Sequence, residues 1–256
     1  MRALERRTFA ARRILSATGA ALDRLLPPGC AGCGAPVPPG PPLCGVCDAA
    51  LGEIPRPWCR RCGATATSPL DAEDCDACSA WPDGLKQKRA ASAVLFEEPG
   101  DRLVAGLKYR GWSALAPAMA ARMLEPARRV VAGRRPFLLA VPLDRRRERQ
   151  RGFNQALLLA RELSARLEWP LATGLVRRPV RRRQAELGRE EREANVARAY
   201  SWDETLRPPP RPVLLVDDVL TTGATAAACS NAIEAAGGAC LGIVTFARAL
   251  PRPDEI

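Results

Sequence analysis

The sequence predicts an α/β protein: a mostly parallel sheet with helices on both of its faces, preceded by a small cysteine-rich module. Two observations carry this prediction. From residue 91 to residue 247, short apolar runs alternate with helical stretches, which is typical of parallel strands joined by crossover helices. Eight of the ten cysteines fall between residues 30 and 78, in a stretch rich in proline and glycine. A chain of 256 residues suffices for one α/β domain and one small module.

The charge balance is strongly basic, with 39 Lys and Arg against 28 Asp and Glu, and histidine is absent. The excess of arginine favours anionic partners, either phosphates or nucleic acid. Without histidine the chain cannot use Ser-His-Asp or Cys-His catalysis, and a zinc site must be built from cysteines or carboxylates. No apolar run is long enough to cross a membrane, so we expect no membrane span.

Residues 1–27 predict an amphipathic helix that leads into the cysteine-rich module. Their apolar stretches are short and interrupted by arginine, which favours a helix over a targeting peptide. We therefore expect a cytoplasmic protein with three parts: this helix, the cysteine-rich module at 28–80, and an α/β domain at 91–250.

The cysteine-rich module carries four Cys-x-x-Cys pairs. Each pair can offer two thiolates to one tetrahedral ion, so four pairs predict two structural zinc ions with four cysteine ligands each. A disulfide framework is the alternative, but no signal peptide indicates an oxidising compartment. The sequence leaves open which pairs share an ion. The predicted ligands are Cys30, Cys33, Cys44, Cys47, Cys59, Cys62, Cys75 and Cys78.

After this module, residues 79–90 are interpreted as a connection, and the elements of the α/β domain follow in order. Strands are predicted at 91–96, 137–141, 213–216 and 239–247, because these apolar runs suit a parallel sheet covered on both faces. Helices are predicted at 101–109, from about 113 to 131, from about 152, and at 226–236, from apolar spacings and turn signals. In such a sheet, ligands bind at the carboxyl ends of the strands.

Residues 213–225 predict a buried strand that ends in two carboxylates and a hydroxyl-rich turn. Asp217 and Asp218 follow the apolar run, and an alanine-rich helix comes after the turn. The helix N-terminus and the turn hydroxyls would bind an anion, while the acid pair would accept hydrogen bonds from vicinal hydroxyls or face Mg²⁺. The pattern therefore indicates a ribose 5-phosphate site, whose turn residues are Thr221, Thr222, Gly223, Ala224 and Thr225.

The positive charge of the α/β domain is concentrated between residues 145 and 192, which hold fourteen arginines and six glutamates. A solvated helix face is the usual explanation of such a run. Because the runs 145–151 and 181–183 fall in predicted loops, we favour a diphosphate or a nucleic-acid backbone as the partner.

Residues 213–225 resemble the phosphoribosyl diphosphate (PRPP) motif of type I phosphoribosyltransferases, and the chain as a whole resembles the ComF family. The chain departs from the usual family pattern at two places. Asp144 stands where the family often has a histidine or another polar residue, and Pro179 and Arg181 stand where an Arg-x-Arg-x-Thr run usually precedes the glutamine, here Gln184. The other matching residues are the four Cys-x-x-Cys pairs, Lys108-Tyr109-Arg110-Gly111, Val141-Pro142-Leu143, Arg151-Gly152-Phe153-Asn154-Gln155, Gln184 with Leu187, and Arg192 with Asn195.

The resemblance implies a type I phosphoribosyltransferase-like fold behind a double zinc ribbon. It also implies PRPP with Mg²⁺ as the ligand, and a role in DNA uptake or the handling of single-stranded DNA alongside other competence proteins. The acid pair would hold the ribose hydroxyls and the turn would hold the 5-phosphate. The diphosphate would lie near Lys108, Arg145, Arg151 and Arg192.

Three functions remain open at the level of the sequence. The protein is a phosphoribosyltransferase acting on an unidentified acceptor, a PRPP or nucleotide sensor without catalysis, or a nucleic-acid-binding module that uses the zinc ribbons and the arginine runs. The last two are compatible with each other. Catalytic residues stay unassigned, because nothing in the sequence specifies how an acceptor base would be recognised. Electrostatic stabilisation of a leaving diphosphate would need no histidine.

Overall fold

The computed structural model describes residues 29–38, 40–66, 75–79, 81–178 and 199–249. The helix predicted at 1–27 and the family positions between 179 and 198 lie outside these residues. The chain divides into two compact units, Met1–Ala50 and Leu51–Ile256, here called the N-terminal and the C-terminal unit. This division runs through the stretch 28–80 and assigns two cysteine pairs to each unit. Among the described helices, none is long and apolar enough to cross a membrane.

The pattern Cys-x-x-Cys-Gly-Ala occurs once in each unit, at 30–35 and at 59–64. In both copies the first cysteine N–H donates to the alanine carbonyl, over 2.7 and 2.8 Å. The glycine N–H donates back to the first cysteine carbonyl, over 2.8 and 2.9 Å. The turn requires a positive φ, which is +78° at Gly34 and +67° at Gly63, and glycine adopts this conformation without strain. The second pair of each unit lies at a short helix, α1 (Gly45–Ala49) or α2 (Asp76–Ser79).

The C-terminal unit is built on a four-stranded sheet in which all three neighbouring pairs of strands are parallel. The strand order is β1-β6-β5-β2. The strands are β1 (Arg89–Leu95), β2 (Phe137–Ala140), β5 (Val213–Leu220) and β6 (Cys240–Arg248). A separate antiparallel pair is formed by β3 (Leu175–Arg177) and β4 (Tyr200–Trp202). This sheet and the cysteine groups confirm the predicted fold class.

Helices cover both faces of the sheet. On one face, α5 (Ala116–Val131) packs on β1 and β6, and α7 (Gln155–Leu167) packs on β2 and β5. On the other face, α8 (Ala224–Ala235) packs on β6, on the β3–β4 pair and on α3 (Asp83–Lys86). The remaining helices are α4 (Gly100–Tyr109), a 3₁₀ turn at Ser113–Leu115 and α6 (Arg145–Arg151).

The arginine run 145–151 was predicted to be a loop, and this prediction is wrong. The run forms helix α6, whose side chains are almost all exposed. Asp144 explains the start of the helix, because its side chain accepts hydrogen bonds from the N–H groups of Arg146 and Arg147. Gly152 explains its end, because it adopts φ +80° as a left-handed cap. Two cap residues therefore outweigh the mutual repulsion of five arginines.

Both edges of the sheet are covered by segments outside the four strands. At the β1 edge, the Leu95 N–H donates to the Gly52 carbonyl and the Ala90 N–H donates to the Arg61 carbonyl, over 2.8 and 2.7 Å. At the β2 edge, the Leu138 N–H donates to the Pro170 carbonyl and the Leu138 carbonyl accepts from Ala172, both over 2.8 Å. Arg61 lies between Cys59 and Cys62, the third Cys-x-x-Cys pair, and each such pair with its turn is here called a knuckle. The Cys59–Cys62 knuckle therefore covers part of the β1 edge of the sheet.

Candidate functional site

Strand β5 extends to Leu220 and therefore contains the acid pair, which the sequence placed just after the strand. Successive strand residues point to opposite faces of the sheet. Asp218 forms an ion pair with Lys108 of α4, and the Nζ–Oδ1 distance is 2.8 Å. Asp217 acts on the other side, where burial raises the pKa of Tyr200 and of Cys229 and the negative charge of Asp217 adds to both increases. The two carboxylates are thus neighbours in sequence that face different surroundings.

Asp218 is a buried carboxylate with only half of its acceptor capacity in use. It is 3% exposed, and the Oδ2 atom is buried without a hydrogen-bond partner among the described residues. A buried acceptor without a partner is unfavourable, which marks a position where a ligand hydroxyl or a metal ion would gain binding energy. Lys108, predicted to bind an anion, lies directly against this acid.

Asp217 is half-buried, and its Oδ1 atom accepts a hydrogen bond from the Asp218 N–H over 2.8 Å. Burial, followed by the negative charge of Asp218, raises the pKa of Asp217 to about 8, against the opposing effects of that hydrogen bond and of Lys108 and Arg177. The protein therefore does not fully compensate this carboxylate. Uncompensated carboxylates of this kind are concentrated at functional sites.

The turn after β5 is three residues long, because helix α8 begins at Ala224, two residues earlier than predicted. Thr221 and Thr222 are exposed. The Thr222 Oγ1 atom accepts a long, 3.4 Å hydrogen bond from the Ala224 N–H. The N–H groups of the first turn of α8 have no intrahelical acceptor, and together with the helix dipole they form an anion-binding end. Thr225 is half-buried and lies close to Tyr200, where it acts to lower the pKa of Tyr200 against the increase caused by burial.

Gly223 is required by what lies beneath the turn. Its φ is +81°, and a Cβ atom at this position would lie 2.7 Å from Leu85 Cδ2 and 3.8 Å from Trp81. Trp81 and Leu85 are 4% and 0% exposed, so the stretch 79–90, interpreted as a connection, supplies a buried platform for the turn. Nothing in the sequence distinguishes these two residues from a linker, since only the fold places them under Gly223.

The predicted anion-binding arginines are placed differently from one another. The Arg151 Nη1 atom donates to Gln155 Oε1 over 2.9 Å, and its guanidinium lies 5.1 Å from the ring centroid of Tyr109, the neighbour of Lys108. Arg145 is the exposed first residue of α6, and it follows the carboxyl end of β2, the strand that pairs with β5. Arg192 lies outside the described residues. The structure therefore brings Lys108 to the acid pair and Arg151 beside the same segment.

Arg177 is a further cation of the site that the sequence did not single out. Its charge acts to lower the pKa of both Asp144 and Asp217, and its guanidinium lies 5.4 Å from the ring centroid of Tyr200. Arg177 therefore lies among the acids that flank the site. Arg177 ends a strand of only three residues, which is too short to be recognised in the sequence, so nothing distinguishes it there from the other arginines of the region.

The eight knuckle cysteines form two groups, each with its sulfur atoms within 4.8 Å of one another: Cys30, Cys33, Cys44 and Cys47 in the N-terminal unit, and Cys59, Cys62, Cys75 and Cys78 in the C-terminal unit. The sequence left this pairing open, and the pairs that share an ion are consecutive. The Sγ–Sγ distances of 3.8, 3.9 and 3.8 Å match the edge of about 3.8 Å of a tetrahedron with zinc–sulfur bonds of about 2.3 Å. All ten cysteines are free of disulfides. The donor sets fit two structural zinc ions.

Comparison with known proteins gives results for both parts of the chain. Residues 21–79 match the family model of the double zinc ribbon domain. The chain is 30% identical over 215 residues to the DNA utilization protein YhgH of Escherichia coli, covering 81% of this chain and 91% of that protein. It is 29% identical to competence protein F of Haemophilus influenzae, covering 72% and 80%. It is 24% identical to competence protein ComFC of Bacillus subtilis, covering 73% and 75%.

Proposed function

Since this chain belongs to the ComF family, we propose that it binds PRPP or a related phosphoribosyl ligand and acts in the utilization of DNA. The observation that carries the ligand is the acid pair within β5, where Asp217 is incompletely compensated and one oxygen of buried Asp218 has no partner among the described residues. The exposed turn and the N-terminus of α8 follow directly. Carboxylates for a diol beside donors for a phosphate suit a ribose 5-phosphate.

The residues of the site would divide the ligand among them. The turn hydroxyls and the first N–H groups of α8 would hold the 5-phosphate, and Asp217 and Asp218 would accept hydrogen bonds from the ribose hydroxyls. Lys108 already lies 2.8 Å from Asp218, and it would neutralise the diphosphate together with Arg151. Mg²⁺ would be held by the carboxylate oxygen of Asp218 that lacks a partner among the described residues, and it would supply charge neutralisation for a diphosphate leaving group.

The experiment for the ligand is calorimetric titration of Mg²⁺–PRPP into zinc-loaded protein. The wild type is expected to bind, and Asp217→Asn/Asp218→Asn is expected to lose at least about tenfold in affinity, because the carboxyl contacts to the ribose hydroxyls are lost. Asp83→Asn/Glu204→Gln is a matched control, since Asp83 and Glu204 are exposed acids of the same unit. No binding by folded wild-type protein, or equal binding by all three proteins, would overturn the proposal.

A second function, transfer of the phosphoribosyl group, follows from the same site and needs a different readout. Diphosphate release would be measured with purine, pyrimidine and amine acceptors in turn. Release that depends on an acceptor and on the acid pair supports a phosphoribosyltransferase. Binding of PRPP without release under any acceptor supports a sensor that retains the site without the chemistry.

The DNA-related part of the proposal rests on the names of the relatives and on charge. The chain has a net charge of +11, and helix α6 presents exposed arginines. Single-stranded DNA bound through its phosphates should dissociate steeply as salt rises, whereas a site built on the acid pair should respond mainly to Mg²⁺. Titration of a labelled oligonucleotide across a salt series separates these two modes. Absence of binding at low salt would contradict a direct DNA contact.

A further inference from the structure

A pocket lined partly by arginines lies in the C-terminal unit, apart from the acid pair and the turn. Its volume is about 250 Å³. It is formed by the Cys59 knuckle, the start of β1 and the last turn of α5, and it is lined by Trp58, Arg60, Gly63, Arg89, Arg129 and their neighbours. Arg89 opens β1 and pairs through β6 with Leu214. Asp217 therefore lies two strands away from Arg89, and three residues further along β5 than Leu214, the residue level with Arg89.

The pocket is organised by arginines stacked on an aromatic ring. The Arg129 guanidinium lies 3.8 Å from the centroid of a Trp58 ring, and the Arg56 guanidinium lies 4.3 Å from it. The Trp58 Nε1–H donates to the Ile54 carbonyl over 2.7 Å, which fixes the orientation of the indole. The Arg129 Nε atom is buried without a hydrogen-bond partner among the described residues. Stacked guanidiniums keep their N–H edges available for an anion.

No ion pair neutralises the pocket arginines within the part of the chain that the structure describes: none involves Arg60, Arg89 or Arg129, or the neighbouring Arg56. Burial lowers the pKa of Arg129, Glu125 opposes this change, and the charge of Arg56 adds to it.

Another arginine, outside the pocket, contacts the adjacent cysteine group. Arg248 is 3% exposed, and its Nη1 atom donates to the Cys62 carbonyl over 2.6 Å. Arg248 thus approaches this group from β6, while Arg60, Arg89 and Arg129 line the cavity.

We propose that this pocket binds a phosphate group of a nucleotide, either within a single DNA strand or as a free nucleotide. Several guanidiniums that converge on one cavity suit a phosphate, whose oxygens can accept from more than one arginine at once, better than a carboxylate, which a single bidentate arginine satisfies. The inference deepens the DNA-related part of the proposed function and rests on it for the strand, whereas the free-nucleotide case is independent of it.

The test compares Arg60→Gln/Arg89→Gln with wild-type protein, because both side chains are exposed and their loss leaves the stack on Trp58 in place. The control is Arg102→Gln/Arg166→Gln, which removes the same charge from arginines paired with Glu98 and Glu162. The probes are inorganic phosphate, thymidine 5′-monophosphate and a short oligodeoxythymidylate. Each is titrated at about 50 mM and about 200 mM salt.

For a strand phosphate, we expect the pocket variant to bind the oligonucleotide at least about tenfold more weakly, with the salt slope reduced by about 1. For a free nucleotide, we expect the pocket variant to bind thymidine 5′-monophosphate and inorganic phosphate more weakly than the wild type does, while its affinity for the oligonucleotide is unchanged. Either result supports the pocket. Equal binding of every probe by the pocket variant and the control would overturn it, as would wild-type protein that binds none of them.

The same series separates this inference from the rest of the proposed function. Mg²⁺–PRPP should bind the pocket variant as well as it binds the wild type, and Asp217→Asn/Asp218→Asn should retain the pocket's ligand. If wild-type protein binds the oligonucleotide and the pocket variant binds the oligonucleotide, the monophosphate and phosphate all as well as the wild type does, the pocket is refuted while DNA binding stands.

Discussion

The substitution Gly223→Ala tests whether the turn after β5 is fixed by the platform beneath it. Two separate penalties follow from the structure. The left-handed conformation at φ +81° costs a residue with a Cβ atom about 1–2 kcal/mol. The new Cβ would also lie 2.7 Å from Leu85 Cδ2. Because Leu85 is fully buried, it cannot turn into solvent, and overpacking of this kind costs about 1–3 kcal/mol. We expect a total destabilisation of about 2–5 kcal/mol.

The assay is urea unfolding followed by tryptophan fluorescence, since all five tryptophans belong to the C-terminal unit. Gly237→Ala is the matched control, because Gly237 has φ +84° and nothing within 4 Å of its added Cβ. It should cost only the conformational part, about 1–2 kcal/mol. Leu85→Ala relieves the clash, so Gly223→Ala/Leu85→Ala should be less destabilised than the sum of the two single variants by about 1–3 kcal/mol. Additivity of the two changes, or equal effects of Gly223→Ala and Gly237→Ala, would refute the platform.

Three further predictions concern the acids and the zinc ions. Lys108→Met should destabilise the protein by about 3–5 kcal/mol because it leaves Asp218 buried and unpaired. In denaturant titrations, adding Asp218→Asn should restore most of the lost free energy of unfolding. No recovery in the double variant would contradict an ion pair between the two residues. The pKa of Asp217 is about 8 in the folded protein and ordinarily 3.8, so between these pH values the folded state binds a proton that the unfolded state does not, and the free energy of unfolding falls as the pH rises through this window. The difference in free energy of unfolding between wild type and Asp217→Asn should show the same fall. A difference that does not change with pH would argue against it. Cys62→Ala should lower the fluorescence-detected unfolding midpoint because a zinc ligand of the C-terminal unit is lost, whereas Cys33→Ser in the N-terminal unit should leave it unchanged.

The sequence predicted the parallel sheet and the main helices because each was encoded locally. The apolar run before Asp217 suits a strand covered on both faces, and β5 begins at Val213 as expected. The helix that ends before Gly237 was identified from its alanines and from the glycine stop, which adopts φ +84°. Such features depend on neighbours within a few residues, and they can therefore be recognised from the sequence alone.

What the sequence could not predict depends on contacts between distant residues. The pairing of the cysteine groups was undecidable from spacing, since consecutive and crossed arrangements offer the same ligands. The burial of Trp81 and Leu85 depends on Gly223, more than a hundred residues later in the chain. The helix at 145–151 was missed because charge density was weighed above the caps Asp144 and Gly152. In the candidate site, Lys108 was chosen through the family resemblance, and its partner Asp218 became known only from the fold.

The covered edges of the sheet affect whether the protein aggregates. A bare edge strand is a template on which further chains can add strands and aggregate. The outer edge of β1 is occupied by the carbonyls of Gly52 and Arg61, and Arg61 lies within a zinc knuckle. Metal loss at that knuckle would release the Arg61 carbonyl and uncover the first residues of β1, where the Ala90 N–H is bound. We therefore expect zinc-depleted protein to self-associate in a concentration-dependent way, so that the metal protects solubility as well as stability.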